Sequence, residues 1–421
     1  MSALLLHAKA LRERRRFPEA IAALHQHLVA DPDDFQGHFE LAVTRLMEGE
    51  DHRTALLDID RAIAQEPEVA IAHAVKSQIL NRLERHAEAL SIADDAIALD
   101  PELDAAWFSR ALALFELRRL PEAEDAARKA LELDPDDADS SNLLSTILRI
   151  AGKVDQAQSE IGRQLAKDPE NAWTFANAGW AALQAGDRHK AEELFREALR
   201  LDASMEHARL GLLEAFKSKS ALYRLHLRWV FFLQRHSEKN QWAIVIGIYL
   251  AYRLGRSILA SVHPLAAAGL VVVYLFFCFG GWLASGLGHF LILTDRFARL
   301  ALKPCEKRDG LAVGGLFFLG LLLLLAGVTV LPLPVAIAGG LVMGAAVPGG
   351  MIFDNPSVKG RTLFSLITVA VLVCAAIEAS RAMSGESSAG TNTGSFTLGL
   401  LLVFLCTWIG GISSLRHAAP K

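Results

Sequence analysis

Hydrophobic and polar positions follow two different rules in the two halves of this 421-residue chain. In the first half the apolar positions are short-ranged and periodic. Alanine recurs at Ala20, Ala55, Ala89, Ala123, Ala157 and Ala191, and an apolar residue stands at Leu11, Leu46, Leu80, Leu114, Leu148 and Ala182. An acid followed by proline recurs at Asp31-Pro32, Glu66-Pro67, Asp100-Pro101, Asp134-Pro135 and Asp168-Pro169. After a first interval of 35 residues the alanine and proline registers repeat every 34. Such a period predicts stacked helix-turn-helix units, each burying its apolar face only against its neighbours. The small residue lets two helices approach closely. The proline, lacking an N–H, ends one helix and sets the turn before the next. In the sixth copy Ala203 replaces the proline, and 204–216 reads as one more amphipathic helix that caps the stack.

In the second half the apolar residues run together. Six segments, 242–262, 265–293, 311–331, 335–353, 363–380 and 396–415, are of the length that crosses a bilayer core, about 20 residues. Arg253 and Arg256 lie inside the first, a costly placement unless they snorkel or face protein. Between the halves, 220–235 predicts a helix with Leu222, Leu225, Trp229, Phe232 and Leu233 on one side and a stripe of Arg224, Arg228 and Arg235 beside them. A helix lying on anionic lipid has this pattern, with Trp229 at headgroup depth and the arginines outside. A final capping helix of the stack would share it. The expected organisation is 1–216 for six hairpins and a cap, 217–241 for a basic amphipathic linker, 242–415 for a membrane domain and 416–421 for a short basic tail.

Charge sharpens this division. Of 47 acidic residues, 40 precede Lys217, whereas 24 of 31 glycines follow Gln241. The net charge is −15 over 1–216, +5 over 217–240 and +6 over 241–421, so the total of −4 hides a polarised molecule. In the short loops, 294–310 carries Arg296, Arg299, Lys303, Lys307 and Arg308, and 354–361 carries Lys359 and Arg361. The alternate connections, 261–264, 332–334 and 381–395, hold Arg381 alone. Positive charge marks the cytoplasmic side. Six spans therefore place both termini and the repeats in the cytoplasm, at a bacterial-type inner membrane. The first residues have no secretory signal pattern, since Arg12, Arg14, Arg15 and Arg16 follow the short apolar run instead of preceding it.

The repeat positions resemble the tetratricopeptide repeat (TPR) family over about residues 1–216, best in the copy 104–135, where Trp107, Ala111, Leu114, Ala123, Ala127, Ala130 and Pro135 occupy signature positions. The resemblance implies an all-α superhelical solenoid, here followed by a polytopic helical transmembrane bundle. It also implies a concave groove lined by the first helix of each pair. Carried over by register, the groove holds Gln78, Asn81, Arg82, Phe108, Leu112, Phe115, Asn142, Thr146, Arg149, Trp173, Asn177, Trp180 and Gln184. Amides at Asn142 and Asn177 suit the backbone of an extended peptide, and Phe115, Trp173 and Trp180 suit its side chains.

Chemistry is sparse. There is no G-x-x-x-x-G-K-[ST] loop and no H-E-x-x-H helix, and the 14 histidines form no ligand-spaced cluster, so an ATP- or zinc-dependent enzyme is disfavoured and no cofactor or metal is expected. The four cysteines suggest no disulfide framework. Ser285 to His289 faintly resembles the serine segment of rhomboid intramembrane proteases, but no later span contains a histidine and the family's His-x-x-Asn pair is missing. Glu378 is the one acid well inside an apolar run, a candidate proton carrier or a partner for Arg381 or an arginine of the first span. Gly340 and Gly344, and Gly280, Ala284 and Gly288, have small-x-x-x-small spacing for close packing within a bundle or a homo-oligomer. A net −15 array disfavours nucleic acid. The expected function is a non-enzymatic membrane adaptor that recruits or assembles protein partners. The alternative is a transporter or channel regulated by its repeats, with intramembrane proteolysis a third.

Overall fold

Two helices per 34 residues is the pattern that the computed structural model shows. It describes residues 2–410 and Leu415, apart from residues 50, 237, 263, 297, 354 and 385–393, and the expected 416–421 tail lies outside the described residues. These residues form twenty α-helices and one 3-10 turn, without strand. The chain divides into two units, one of residues 1–187, 193–204 and 231–241, the other of residues 188–192, 205–230 and 242–421.

The repeats comprise α1 (Ala3–Glu13), α2 (Phe17–Ala30), α3 (Phe35–Glu48), α4 (His52–Gln65), α5 (Ala70–Arg82), α6 (His86–Leu99), α7 (Asp104–Glu116), α8 (Leu120–Leu133), α9 (Ala138–Ile150), α10 (Val154–Lys167), α11 (Ala172–Ala185) and α12 (Arg188–Leu201). Odd helices pack on the even helix that follows and on the next odd helix. The six register alanines are each 0% exposed, so a methyl group is all that the crossing accommodates. The acid before each proline caps the even helix as its C-cap residue, at Asp31, Glu66, Asp100, Asp134 and Asp168. Side-chain N-caps start α3, α4, α9 and α11, where Asp34, Asp51, Asp137 and Asn171 accept from backbone N–H groups in the first turn. Inside each hairpin the turn has one residue in the left-handed region, Arg15, Gly49, Glu84, Arg118, Gly152 or Gly186. In five copies the N–H after that residue bonds back to the carbonyl of Leu11, Leu80, Leu114, Leu148 or Ala182 at 2.8–2.9 Å. This closure satisfies carbonyls left open at the helix end.

The second unit contains α13 (Glu206–Lys217), α14 (Ala221–Gln234) through Val230, α15 (Glu238–Val262) from Trp242, α16 (Pro264–Leu293), the 3-10 turn Ala298–Ala301, α17 (Pro304–Thr329), α18 (Leu333–Gly349), α19 (Val358–Met383) and α20 (Gly394–Ile409). The expected capping helix is α13, and it groups here: Leu213 and Phe216 share a small core with Ile292, Ala298 and Leu302. The main core joins α16 to α20 through Leu283, Val313, Leu341, Phe364, Val371 and Val403. Each expected span coincides with a helix, but their lengths differ. Among the described residues, Ala243–Ala260, Pro304–Thr329 and Val358–Arg381 are long and apolar enough to cross a membrane, α16 runs 30 residues, and Leu333–Gly349 and Gly394–Ile409 are shorter apolar helices.

Backbone-to-backbone packing falls on glycines other than the expected pair, of which Gly344 packs against a side chain and Gly340 against nothing. A Cβ at Gly340 would meet nothing within 4 Å, and one at Gly344 would lie 3.3 Å from Val403. At Gly320, Gly327 and Gly339 it would come within 2.1–2.4 Å of a neighbouring backbone nitrogen, so these three hold α17 and α18 together. Of the other small residues, Gly288 accommodates the stem of Lys217.

Candidate functional site

Positions about one period apart stand side by side on successive odd helices, and the polar residues expected in the groove meet across that seam. Asn177 donates from Nδ2 to the backbone oxygen (3.3 Å) and Oδ1 (3.2 Å) of Asn142. Thr174 Oγ1 donates to Asn142 Oδ1 at 3.2 Å, and Thr146 Oγ1 to Asn177 Oδ1 at 3.3 Å. Gln184 donates to the Arg149 carbonyl at 3.1 Å, and Gln78 to Ser109 Oγ at 3.2 Å. Asn177 therefore spends its donor on the neighbouring repeat, while the bonds of Asn142 use its oxygens. Each such bond contributes roughly 0.5–1.5 kcal/mol net. The amides expected to face a peptide thus bind repeat to repeat. The 35-residue spacing of Asn142 and Asn177, like that of Arg149 and Gln184, places the partners on neighbouring odd helices without naming the bond.

Aromatic residues flank this seam. Arg149 is buried, its guanidinium 5.9 Å from the Trp180 ring centroid, and burial lowers its pKa to about 10. Trp180 meets Phe195 edge-on at 5.6 Å, and Gly179 leaves the room, because a Cβ there would lie 2.7 Å from that ring. Phe108, Leu112 and Phe115 are half-buried against Ala111 and Leu114. Trp173 is 52% exposed and Arg82 is exposed. Asn81 is buried, with its Oδ1 3.2 Å from His86 Nδ1. The face thus offers one prominent indole, several ring edges and one buried cation.

In the second unit α13 is anchored by charge. Arg209 forks onto Glu306 at 2.7 and 2.9 Å, reaches Glu206 at 2.7 Å and donates to the Ala301 carbonyl at 3.0 Å. Lys303 adds a bond to Glu206 at 3.0 Å. The Arg209 bond holds the Glu206 carboxyl down to about 2, and its carboxylate partners raise Arg209. Tyr223 donates to Glu214 at 2.7 Å, and burial together with that carboxylate raises its pKa. No feature of the sequence reading paired α13 with the 294–310 loop.

The expected interfacial helix α14 turns Leu222, Leu225 and Phe232 outward at 54%, 65% and 41% exposure, while Tyr223, Leu227 and Phe231 are buried. Arg228 is exposed and Trp229 half-buried, and Arg224 donates to the carbonyls of Ser218 and Lys219. Arg235 lies against the turn at Gly152 in the first unit, so it extends the arginine stripe differently from expectation.

Among the intramembrane candidates, Glu378 is buried and bonds to Arg381 at 3.0 Å, with Ser395 Oγ donating to the same oxygen. Arg253 and Arg256 are exposed. His289 contacts Asp309, with Nδ1 2.9 Å from Oδ2, and both are buried. Sequence spacing had linked His289 with Ser285 on the same helix and overlooked Asp309 on the next.

Models of the tetratricopeptide repeat match residues 5–50 and 43–104, 105–137, 126–159, and 174–205. Among solved structures, the chain is similar to the thermophilic TPR protein TTC0263 of Thermus thermophilus, at 18% identity and TM-score 0.41 over 43% of this chain and 98% of that one. It is similar to a TPR protein of Parabacteroides merdae, at 17% identity and TM-score 0.44 over 50% and 81%. PilF of Pseudomonas aeruginosa gives 19% identity and TM-score 0.40 over 52% and 96%. No curated protein matches the chain.

Proposed function

We propose that this chain, whose residues 5–205 are tetratricopeptide repeats, is a membrane-embedded adaptor that holds a protein or peptide partner in its repeat groove and recruits it to the inner face of the membrane. One observation carries the reading: six regular hairpins share a chain with three helices that, among the described residues, are long and apolar enough to cross a bilayer. Repeats of this family serve generally as scaffolds for protein contacts, without chemistry of their own. The exposed Leu222, Leu225 and Phe232 beside Arg228 support contact of α14 with lipid. The array's charge of −15 favours basic or amphipathic segments as partners and disfavours nucleic acid. The open face at Gly340 is where a homo-oligomer would pack.

Transport around Glu378 is the weaker reading, because that carboxylate is already bonded to Arg381 and Ser395. Proteolysis is weaker still, since the hydrogen bond of His289 goes to Asp309 on the next helix and not to Ser285. The test replaces exposed Trp173 by Ala, a change that spares the repeat-to-repeat amides. Detergent-solubilised wild-type protein is expected to capture a small, reproducible partner set that Trp173→Ala loses, while the convex-face variant Glu132→Ala keeps it. Identical sets from all three proteins would refute the groove. Release of wild-type protein from membranes by alkaline carbonate would refute the embedding.

A further inference from the structure

The second unit carries a cavity of about 420 Å³, open on one side and lined by Ser285, Asp309, Trp282, Met351, Asn355 and Phe364. Its polar wall is unbalanced. Asp309 is 4% exposed, yet only Oδ2 is bonded, to His289, and Oδ1 has no hydrogen-bond partner among the described residues. A buried carboxylate is costly unless each oxygen finds donors. Asn355 is not one of them, because its Nδ2 donates to the carbonyls of Met351 and Leu415 and its Oδ1 accepts from the Ser357 N–H. Gly350 keeps the space clear: a Cβ there would stand 3.7 Å from Asp309 Oδ1 and 3.2 Å from Val313. No Lys or Arg lines the cavity among the described residues.

We propose that this cavity is a binding site for a small organic cation, a primary ammonium with an apolar body. The ammonium donates to Asp309 Oδ1 and Ser285 Oγ, completing the carboxylate's unmet bonds, while its carbon chain lies against Trp282, Met351 and Phe364. His289, on the far oxygen, holds the carboxylate in place. A bare metal ion fits less well, because those two side chains offer it only two uncommitted oxygens. The inference is independent of what the repeats bind, since every residue of the cavity lies in the second unit.

The test is titration calorimetry on the full-length protein in detergent micelles, with n-butylammonium chloride as probe and n-butanol and sodium chloride as controls. Saturable binding of butylammonium is expected, without binding of butanol and without equal heat from sodium. Asp309→Asn is expected to weaken it about tenfold or more, the scale of one lost charge-assisted bond. Should Asp309→Asn unfold the bundle, Ser285→Trp decides, because it fills the cavity from an exposed position and leaves the His289 pair intact. Butanol binding as well as butylammonium would remove the carboxylate from the explanation. An equal sodium response would make this an inorganic ion site, and absence of saturable binding, or binding unchanged in Ser285→Trp, would overturn the proposal outright.

Discussion

The turn inside each hairpin sets a problem at the scale of one residue. Gly49, Gly152 and Gly186 take φ of 83°, 82° and 90° there, but Arg15, Glu84 and Arg118 take 56°, 61° and 58° at the same register. A Cβ in this conformation costs roughly 1–2 kcal/mol. Arg118→Gly is therefore expected to raise the thermal midpoint of the array, followed by far-ultraviolet circular dichroism. Gly152→Ala is expected to lower it more than Gly49→Ala, because the new methyl group would also lie 3.0 Å from the Arg235 guanidinium, whereas nothing stands within 4 Å of residue 49. Equal losses at 49 and 152 would place the whole cost in the backbone. This register was not legible beforehand. The alanines and prolines announce themselves because volume and a missing N–H restrict which residue fits, but a left-handed turn tolerates Arg or Glu at moderate strain, so the glycine pattern is broken in half the copies. The same asymmetry separates the groove residues: register placed Asn142 and Asn177 on one face, but not their bonds to each other.

Among elements, α13 shows how far patterning reaches. Its amphipathic sequence predicted a helix, and a helix forms, but periodicity names a buried face without naming what buries it. The partner is set by Arg209 and Glu306, 97 residues apart. Removing Arg209 leaves Glu306, 8% exposed at its side chain, as an unpaired buried carboxylate, a loss on the order of 3 kcal/mol. Arg209→Ala is thus expected to speed hydrogen exchange of the α13 amides about 100-fold, the factor to which that free energy corresponds. Adding Glu306→Gln should recover most of the protection: it removes the stranded charge and keeps an oxygen for the Lys303 N–H. A double variant as labile as the single one would assign the anchoring to the Glu206 and Ala301 bonds instead. The α17–α18 pair makes the same point from the opposite side. G-x-x-x-G spacing singled out Gly340 and Gly344, yet Gly320, Gly327 and Gly339 make the backbone contacts, because spacing shows which residues share a face and not which face meets the neighbour.

For the whole molecule the open choice is the role of α15, and charge and burial pull in different directions. Its apolar stretch Ala243–Ala260 is long enough to cross a membrane, but it is 0% buried and carries exposed Arg253 and Arg256. Its ring contacts are with Tyr274 of α16, which Tyr252 stacks on at 4.0 Å. If α15 spans, the basic loop preceding α17 faces the cytoplasm along with the repeats, and the α19–α20 connection faces outward. If α15 lies in the interface, the repeats stay cytoplasmic and every later loop changes sides, putting Arg296, Arg299, Lys303, Lys307 and Arg308 outside against the bias that positions basic loops. Two single cysteines separate these cases. Native Cys305 lies at the start of α17, and Ser384→Cys sits exposed just after α19, each tested with the other cysteines replaced. Six spans predict that an impermeant maleimide labels residue 305 only in inverted vesicles and residue 384 only in right-side-out ones. The reverse pattern would make α15 an interfacial helix and leave five crossings, with its two arginines at headgroup depth where their exposure carries little cost.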